Sequence, residues 1–341
     1  MVDHLELGYV TKMTLIAESA TKKSIEDKTP VRVFVGVRSI VVYCSKGEEK
    51  ELLSKLSLLS GMSWDINNYS LSPESLRSRV VCYWHPDKLD KNASSQLLAV
   101  VKAGGRVMPL VDHLESKYGF THLSLVNEHY FLQHRCFYSV TRRSRRFIKR
   151  CLDIGIALLL LAFTWPLILL GMLLVGGTSG FPIIYKQERV GRYNKPFLIY
   201  KLRTMIKDSE SNGLARWSSS DDDRVIRFGK ILRATRIDEL PQIYNILKGE
   251  MSFVGPRPER QQFIDLLQEH VPWYPFRHSV KPGLTGWAQI KYGYGSSIED
   301  AMIKHQYDIY YLKNQSIGLD LKITLKTLRT VFQGLVSCLK K

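Results

Sequence analysis

A chain of 341 residues, 45% apolar and 24% charged, is long enough for two domains of ordinary size and apolar enough to pack both. Its five cysteines, Cys44, Cys82, Cys136, Cys151 and Cys338, are odd in number, widely spaced and without a C-x-x-C pair, which argues against a disulfide framework or a zinc site. The formal net charge of +17 is lodged almost wholly in residues 141–341, which carry +15 against +2 for residues 1–140, so the two halves have different partners.

Residues 1–30 are polar and mixed in charge and read as a poorly ordered lead-in, lacking the basic start and apolar core of a secretory signal. From there the pattern predicts a strand over Val31–Tyr43, a helix over Glu48–Leu59, a strand over Ser78–Trp84, a helix over Ser94–Lys102 and a strand over Arg106–Leu110. Strands alternating with helices predict a small Rossmann-like α/β domain with a parallel sheet over residues 31–140. The turn after its first strand, Cys44-Ser-Lys-Gly-Glu-Glu-Lys, lacks the glycine pattern that admits a pyrophosphate, so a regulatory or assembly role is expected in place of a nucleotide. His85-Pro86 reads as ordinary loop.

Residues 142–150 place six cations in nine positions, and Ile154–Val175 then runs 22 residues without a charge. As a straight helix that run would be about 33 Å long, enough to cross a hydrocarbon core of about 30 Å. Trp165-Pro166 falls at its midpoint, however, and both flanks are basic, with Lys186, Arg189, Arg192 and Lys195 following. A proline that bends the helix and cations that hold both ends inside predict a re-entrant helix-break-helix, with Trp165 and Pro166 at the membrane turn. A basic half flanking apolar sequence points to anionic membrane lipids and not to nucleic acid.

Pro182–Arg189 and Pro196–Arg203 flank a turn and predict a β-hairpin that delivers Lys201 and Arg203 to a site. Residues 207–224 read as a long polar loop, and the acids Asp221, Asp222 and Asp223 within it as a solvated turn rather than a metal site. Asp238 and Glu239 then lie among Arg233, Arg236 and Arg257. The sequence predicts a helix with Asp238 as N-cap, Thr235 as the rival cap, Pro241 in the first turn and Gly249 as the stop. A carboxylate pair in a ring of cations suits phosphoryl chemistry, one group attacking phosphorus while the other helps to hold a divalent metal. Gly255-Pro-Arg-Pro fixes Arg257 for a phosphate. Trp273, Tyr274, Phe276 and Trp287, interleaved with Arg277, His278 and Lys281, suit either a membrane boundary or a core with a wet edge. The last helix carries Leu321, Leu325, Leu328, Phe332, Leu335 and Leu339 on one face and is expected in the membrane interface.

From about Lys149 onward the chain resembles the bacterial sugar transferase family, the monotopic phosphoglycosyl transferases that start glycan assembly on undecaprenyl phosphate. The resemblance rests on the basic-then-apolar segment with a central proline, Tyr200-Lys-Leu-Arg-Thr-Met, Asp221-Asp-Asp-Arg-Val, Arg233 through Asp238-Glu-Leu-Pro-Gln, Met251-Ser-Phe-Val-Gly-Pro-Arg-Pro and Lys281-Pro-Gly-Leu-Thr-Gly-Trp-Ala-Gln. It implies a mainly α catalytic domain over residues 141–341, Asp238 as nucleophile, Glu239 assisting in binding Mg2+ together with Asp238, and Lys201, Arg233 and Arg257 on phosphates, with Arg203 of the hairpin a further candidate phosphate contact. A UDP-sugar and undecaprenyl phosphate are the implied substrates, UMP the product, and the inner face of a bacterial cytoplasmic membrane the implied location, at the start of exopolysaccharide, capsule or O-antigen assembly. A homodimer is left open. Larger members carry transmembrane helices before the catalytic part where this chain has only its α/β domain, and some have Ser-Pro where it has Trp165-Pro166. The competing expectations are a non-catalytic basic membrane scaffold and a nucleotide-sugar hydrolase.

Overall fold

The computed structural model describes residues 39–57, 59, 62–133, 143–206, 222–293, 295 and 297–339. The expected lead-in over 1–30 lies outside them, as do residues 31–38 of the first strand and residues 207–221 of the polar loop. The chain divides into two compact units, Met1–His134 and Arg135–Lys341.

The first unit is built on a four-stranded, wholly parallel sheet in the order β2-β1-β3-β4. Its elements are β1 (Ile40–Tyr43), α1 (Glu49–Ser57), β2 (Trp64–Ile66), α2 (Pro73–Leu76), β3 (Val81–Tyr83), α3 (Lys91–Lys102), β4 (Val107–Pro109), α4 (Leu110–Tyr118) and α5 (Glu128–Gln133). The run Ile40-Val-Val-Tyr is buried on both faces, as a central parallel strand must be, and Val41, Tyr43, Leu76, Val81, Ala93, Leu97 and Val100 form one core. The expected parallel sheet is present. The edge strand β2 was not foreseen, because Trp-Asp-Ile is too short and too polar to announce itself.

The second unit begins with α6 (Arg143–Ser179), 37 residues long with Pro166 inside it. No loop separates two arms, so the expected helix-break-helix is corrected to one helix that runs through the proline. Proline removes one ladder bond and leaves the others, which bends a helix without ending it. There follow the antiparallel hairpin β5 (Ile184–Val190) and β6 (Pro196–Leu202), paired from Ile184 opposite Leu202 to Val190 opposite Pro196, close to the bounds expected. Next come α7 (Arg227–Ala234), a 3-10 turn over Ile237–Gln242, α8 (Ile243–Lys248), β7 (Ser252–Val254), α9 (Gln261–His270), a 3-10 turn over Tyr274–Ser279, β8 (Gly283–Thr285), α10 (Trp287–Lys291), α11 (Ile298–Asn314) and α12 (Ile317–Leu339).

The core of this unit gathers Ala157 of α6, Phe197 and Ile199 of β6, Ile243 and Ile246 of α8, Phe253 and Val254 of β7, Trp287, Tyr311 and Ile323. Tyr274, Arg277, His278 and Trp287 are all buried, so of the two readings of that aromatic and basic mixture the core is correct. Among the described residues of this unit, two long apolar stretches are exposed. One is α6 from Leu158 to Leu173, where Phe163 is 75% and Trp165 58% exposed. The other is the face of α12 formed by Leu321, Leu325, Leu328, Phe332 and Val336. Helices with apolar residues turned outward fit contact with lipid.

Candidate active site

The site forms where β6, the 3-10 turn over Ile237–Gln242 and the segment after β7 converge. Arg236 takes a left-handed backbone (φ 59°), and this sharp break between α7 and the 3-10 turn sets the whole arrangement. Thr235 caps the C-terminus of α7, Arg236 occupies the cap position of the 3-10 turn, and Asp238 and Glu239 both lie within that turn. The expectation that Asp238 is a helix N-cap is therefore corrected. Among the described residues its side chain makes no capping hydrogen bond, because the left-handed Arg236 begins the turn two residues earlier. Gly249, with φ 91°, does end α8 as expected.

Glu239 is 6% exposed and held by three cations. Lys201 Nζ lies 3.2 Å and Arg257 Nη2 2.7 Å from its Oε1, and Arg236 Nη1 lies 3.2 Å from its Oε2. Burial by itself would push this carboxyl up, but Arg257, Lys201 and Arg236 more than offset it and hold Glu239 well below the usual carboxylate range. Asp238, also 6% exposed, behaves oppositely. Burial pushes it up to about 6, the Glu239 charge adds to the effect, and Lys201, Arg233 and Arg257 pull against it. Its Oδ1 is buried and has no hydrogen-bond partner among the described residues. Two adjacent carboxylates thus divide: Glu239 is a fixed anion that organises cations, and Asp238 keeps an oxygen uncommitted. Burial also pushes Lys201 down to about 8, with Glu239 opposing.

The other expected residues are distributed unevenly. Arg233 donates from Nε to Thr204 Oγ1 at 2.9 Å and acts electrostatically on Asp238. Arg203 does not join them. It is buried and donates from Nη2 to the carbonyls of Ser179 and Gly180, closing the C-terminal end of α6. Trp165 and Pro166 lie on the exposed apolar stretch of α6. Asp222 is not in a solvated turn, since it is buried and Arg224 grips it in bidentate fashion, Nε to Oδ1 at 2.7 Å and Nη2 to Oδ2 at 2.6 Å. Asp221 lies outside the described residues and Asp223 is exposed. No cluster of three or more His, Cys, Asp or Glu side chains that could hold a metal occurs among the described residues.

Several supporting groups were missed. Asp153, the last charge before the apolar run, accepts at Oδ1 from Ser252 Oγ and the Phe253 amide, both at 2.9 Å, and so pins α6 to β7. β8 pairs with β7 and clamps the Gly255-Pro-Arg-Pro segment: the Gly255 amide donates to Thr285 O at 2.9 Å and the Gly283 amide to Pro256 O at 2.8 Å. A Cβ on Gly283 would stand 2.1 Å from the Gly255 nitrogen, so only glycine permits this approach. The isolated acid Asp153 and the glycines of Lys281-Pro-Gly-Leu-Thr-Gly were the only signals for these features.

The bacterial sugar transferase profile matches residues 144–334. Over 188 residues the chain is 45% identical to the UDP-N-acetylgalactosamine-undecaprenyl-phosphate N-acetylgalactosaminephosphotransferase of Aeromonas hydrophila, covering 55% of this chain and 44% of that protein. It is 42% identical over 182 residues to the UDP-glucose:undecaprenyl-phosphate glucose-1-phosphate transferase of Caulobacter vibrioides, covering 52% of this chain and 67% of that protein. The Escherichia coli K12 protein of the same name is 37% identical over 194 residues, 56% of this chain and 41% of its own length. The chain therefore spans less than half the length of the Aeromonas and Escherichia proteins.

Proposed function

The chain belongs to the bacterial sugar transferase family, and on that premise we propose that it transfers a sugar phosphate from a UDP-sugar to undecaprenyl phosphate and releases UMP. The observation that carries the reading is the division of the dyad: Asp238 is buried with a free oxygen beside a Glu239 that three cations hold in place. An Asp238 oxygen attacks the phosphorus that bears the sugar, and the bond from that phosphorus to the oxygen of UMP breaks. The resulting acyl phosphate retains the sugar. An oxygen of the lipid phosphate then attacks the same phosphorus, the bond from that phosphorus to the Asp238 oxygen breaks, and Asp238 leaves as carboxylate. A group at about 6 is mostly ionised near pH 7 and still basic enough to be a competent nucleophile.

Lys201, Arg257 and Arg233 supply positive charge for the diphosphate, and Glu239 keeps the first two in position. The uncommitted Oδ1 of Asp238 next to Glu239 fits Mg2+, which takes one or two carboxylates and completes its shell with substrate phosphates and water. When bound there, the ion would neutralise charge on the diphosphate. The packing of α6 supports the re-entrant reading. Near its start, Arg150 donates to the Leu247 carbonyl at 2.6 Å and Asp153 binds β7; near its end, Gly171 packs against Leu202, Leu232 and Ile237, and Gly176 against Ile183. A helix whose two ends both rest on one compact unit is unsuited to placing them on opposite sides of a bilayer. The activity then faces the cytoplasm, where UDP-sugars are made.

The test is UMP release from a panel of UDP-sugars with polyprenyl phosphate and Mg2+. A basic membrane scaffold would release none, and a nucleotide-sugar hydrolase would release UMP without the lipid. Asp238→Asn is expected to abolish release while the protein stays folded and membrane-bound; turnover within about tenfold of the parent would remove Asp238 from the role of nucleophile.

A further inference from the structure

Arg257 reaches Glu239 from a segment with no regular structure, and something must hold that segment. Below it lies Arg277, 6% exposed, in the 3-10 turn over Tyr274–Ser279. Its guanidinium is shared among three elements. Nη2 donates to the backbone carbonyl of Arg257 at 2.9 Å and lies 3.0 Å from Asp308 Oδ2 on α11, while Nη1 donates to the Tyr274 hydroxyl. Asp308 and Tyr274 are each 2% exposed. The guanidinium carbon also sits 4.9 Å from the centroid of the Tyr274 ring. A buried arginine in so fixed a frame has little rotamer freedom, and the carbonyl it grips belongs to the residue whose side chain enters the site.

We infer that Arg277 is a positioning residue: by binding the Arg257 carbonyl from a frame anchored on Asp308 and Tyr274, it sets the Arg257 guanidinium against Glu239 and the substrate phosphates. The role rests on the reading of Arg257 as a phosphate contact. An ion pair between Arg277 and Asp308 alone would serve the fold, but it would not need the second bond of Nη2 to the one carbonyl that carries Arg257. Arg189 braces the same segment from the hairpin, donating from Nη1 to Pro258 O at 3.1 Å, so the short stretch between the two prolines is held from both sides. Lysine at position 277 would keep a charge opposite Asp308 but has no planar fork with which to reach the Arg257 carbonyl and Tyr274 together.

The decisive experiment is a double-mutant cycle of Arg277→Lys with Arg257→Ala in the full chain, read as kcat/KM for UMP release and as calorimetric affinity for inorganic pyrophosphate with Mg2+. Arg277→Lys alone is expected to cost at least tenfold in both, and less than twofold once Arg257 is alanine, because the side chain it positions is gone. A merely structural role predicts the same factor in both backgrounds, and that result overturns the inference, as does Arg277→Lys with parental values. Should Arg277→Lys fail to fold, Tyr274→Phe removes one leg of the frame and takes its place in the same cycle with the same expected loss of additivity. A parent that binds pyrophosphate but releases no UMP would sink the transferase reading and leave the positioning cycle measurable; a parent that binds no pyrophosphate sinks the positioning role.

Discussion

The opposite behaviour of Asp238 and Glu239 is measurable as stability. Asp238 is raised in the folded state above its unfolded value of about 3.9, so the folded protein binds its proton more tightly, and stability falls as pH rises from about 4 to about 6. Above that window the buried charge is a constant burden. Asp238→Asn is therefore expected to raise the unfolding free energy at pH 7.5 by roughly 1–3 kcal/mol, with the gain vanishing below pH 4. Glu239 is depressed, so its contribution is present above the ordinary glutamate range and is lost as pH falls below about 4.5. Glu239→Gln should lower stability at pH 7.5, on the order of 2 kcal/mol, since it leaves Lys201 and Arg257 facing a neutral group. Thermal melts of the two variants across pH 4 to 8 check both signs, and parallel curves would show that the dyad is not divided. The acid limb of kcat/KM should in turn report Asp238, at or below about pH 6, lower when Mg2+ is present.

At the scale of elements, β6 and the residue that follows it are where the apolar helix α6 and the Asp238–Glu239 pair meet. Three consecutive residues have three duties: Lys201 binds Glu239, Leu202 packs on Gly171 of α6, and Arg203 closes the end of α6. A Cβ at Gly171 would lie 2.7 Å from Leu202 Cδ1 and 3.5 Å from Ile237 Cγ2, one residue before Asp238. Gly171→Leu is expected to displace β6 and reduce turnover at least tenfold while the protein still sediments with membranes, and normal turnover would show that the contact is dispensable. The arrival of Lys201 was expected from the hairpin, but the contacts of Leu202 and Arg203 with α6 could not be read from the residues. Alternating and periodic patterns announced the parallel sheet, the hairpin to within two residues and the apolar faces of α6 and α12, because those depend on which side chains must be buried or turned out, and glycine itself marked the stop at Gly249. What stayed hidden depends on backbone conformation and on contacts distant in the chain. The left-handed Arg236, which shifts Asp238 from a cap into a 3-10 turn, is a conformation that arginine seldom adopts. Arg203 and Arg233 looked alike as cations, and only the fold sends one to the carbonyls at the end of α6 and the other towards the dyad.

For the whole molecule, every proposed site residue lies in the unit Arg135–Lys341, and the family match lies within it as well. Removal of residues 1–134 should leave a membrane-bound, active enzyme; a truncation that folds and binds membranes but does not turn over would give the first unit a part in the reaction. The same physics bears on the side of the membrane proposed for that unit. Were α6 to cross, the basic tract from Arg143 to Arg150 and the basic hairpin would be on opposite sides, one of them against the preference of cations for the cytoplasm. Crossing would also have to pull apart the contacts of Arg150 and Asp153 at one end, or those of Gly171 and Gly176 at the other, since both sets are made to one unit. A placement with the apolar middle of α6 in the bilayer and both ends at one surface would keep all of them. Single cysteines introduced as Leu5→Cys and Asn212→Cys, in a background without the native five, should both be shielded from an impermeant thiol reagent in intact cells and both react after lysis. Labelling of the Leu5→Cys probe alone in intact cells would establish a straight crossing and require the packing of one end of α6 to be abandoned.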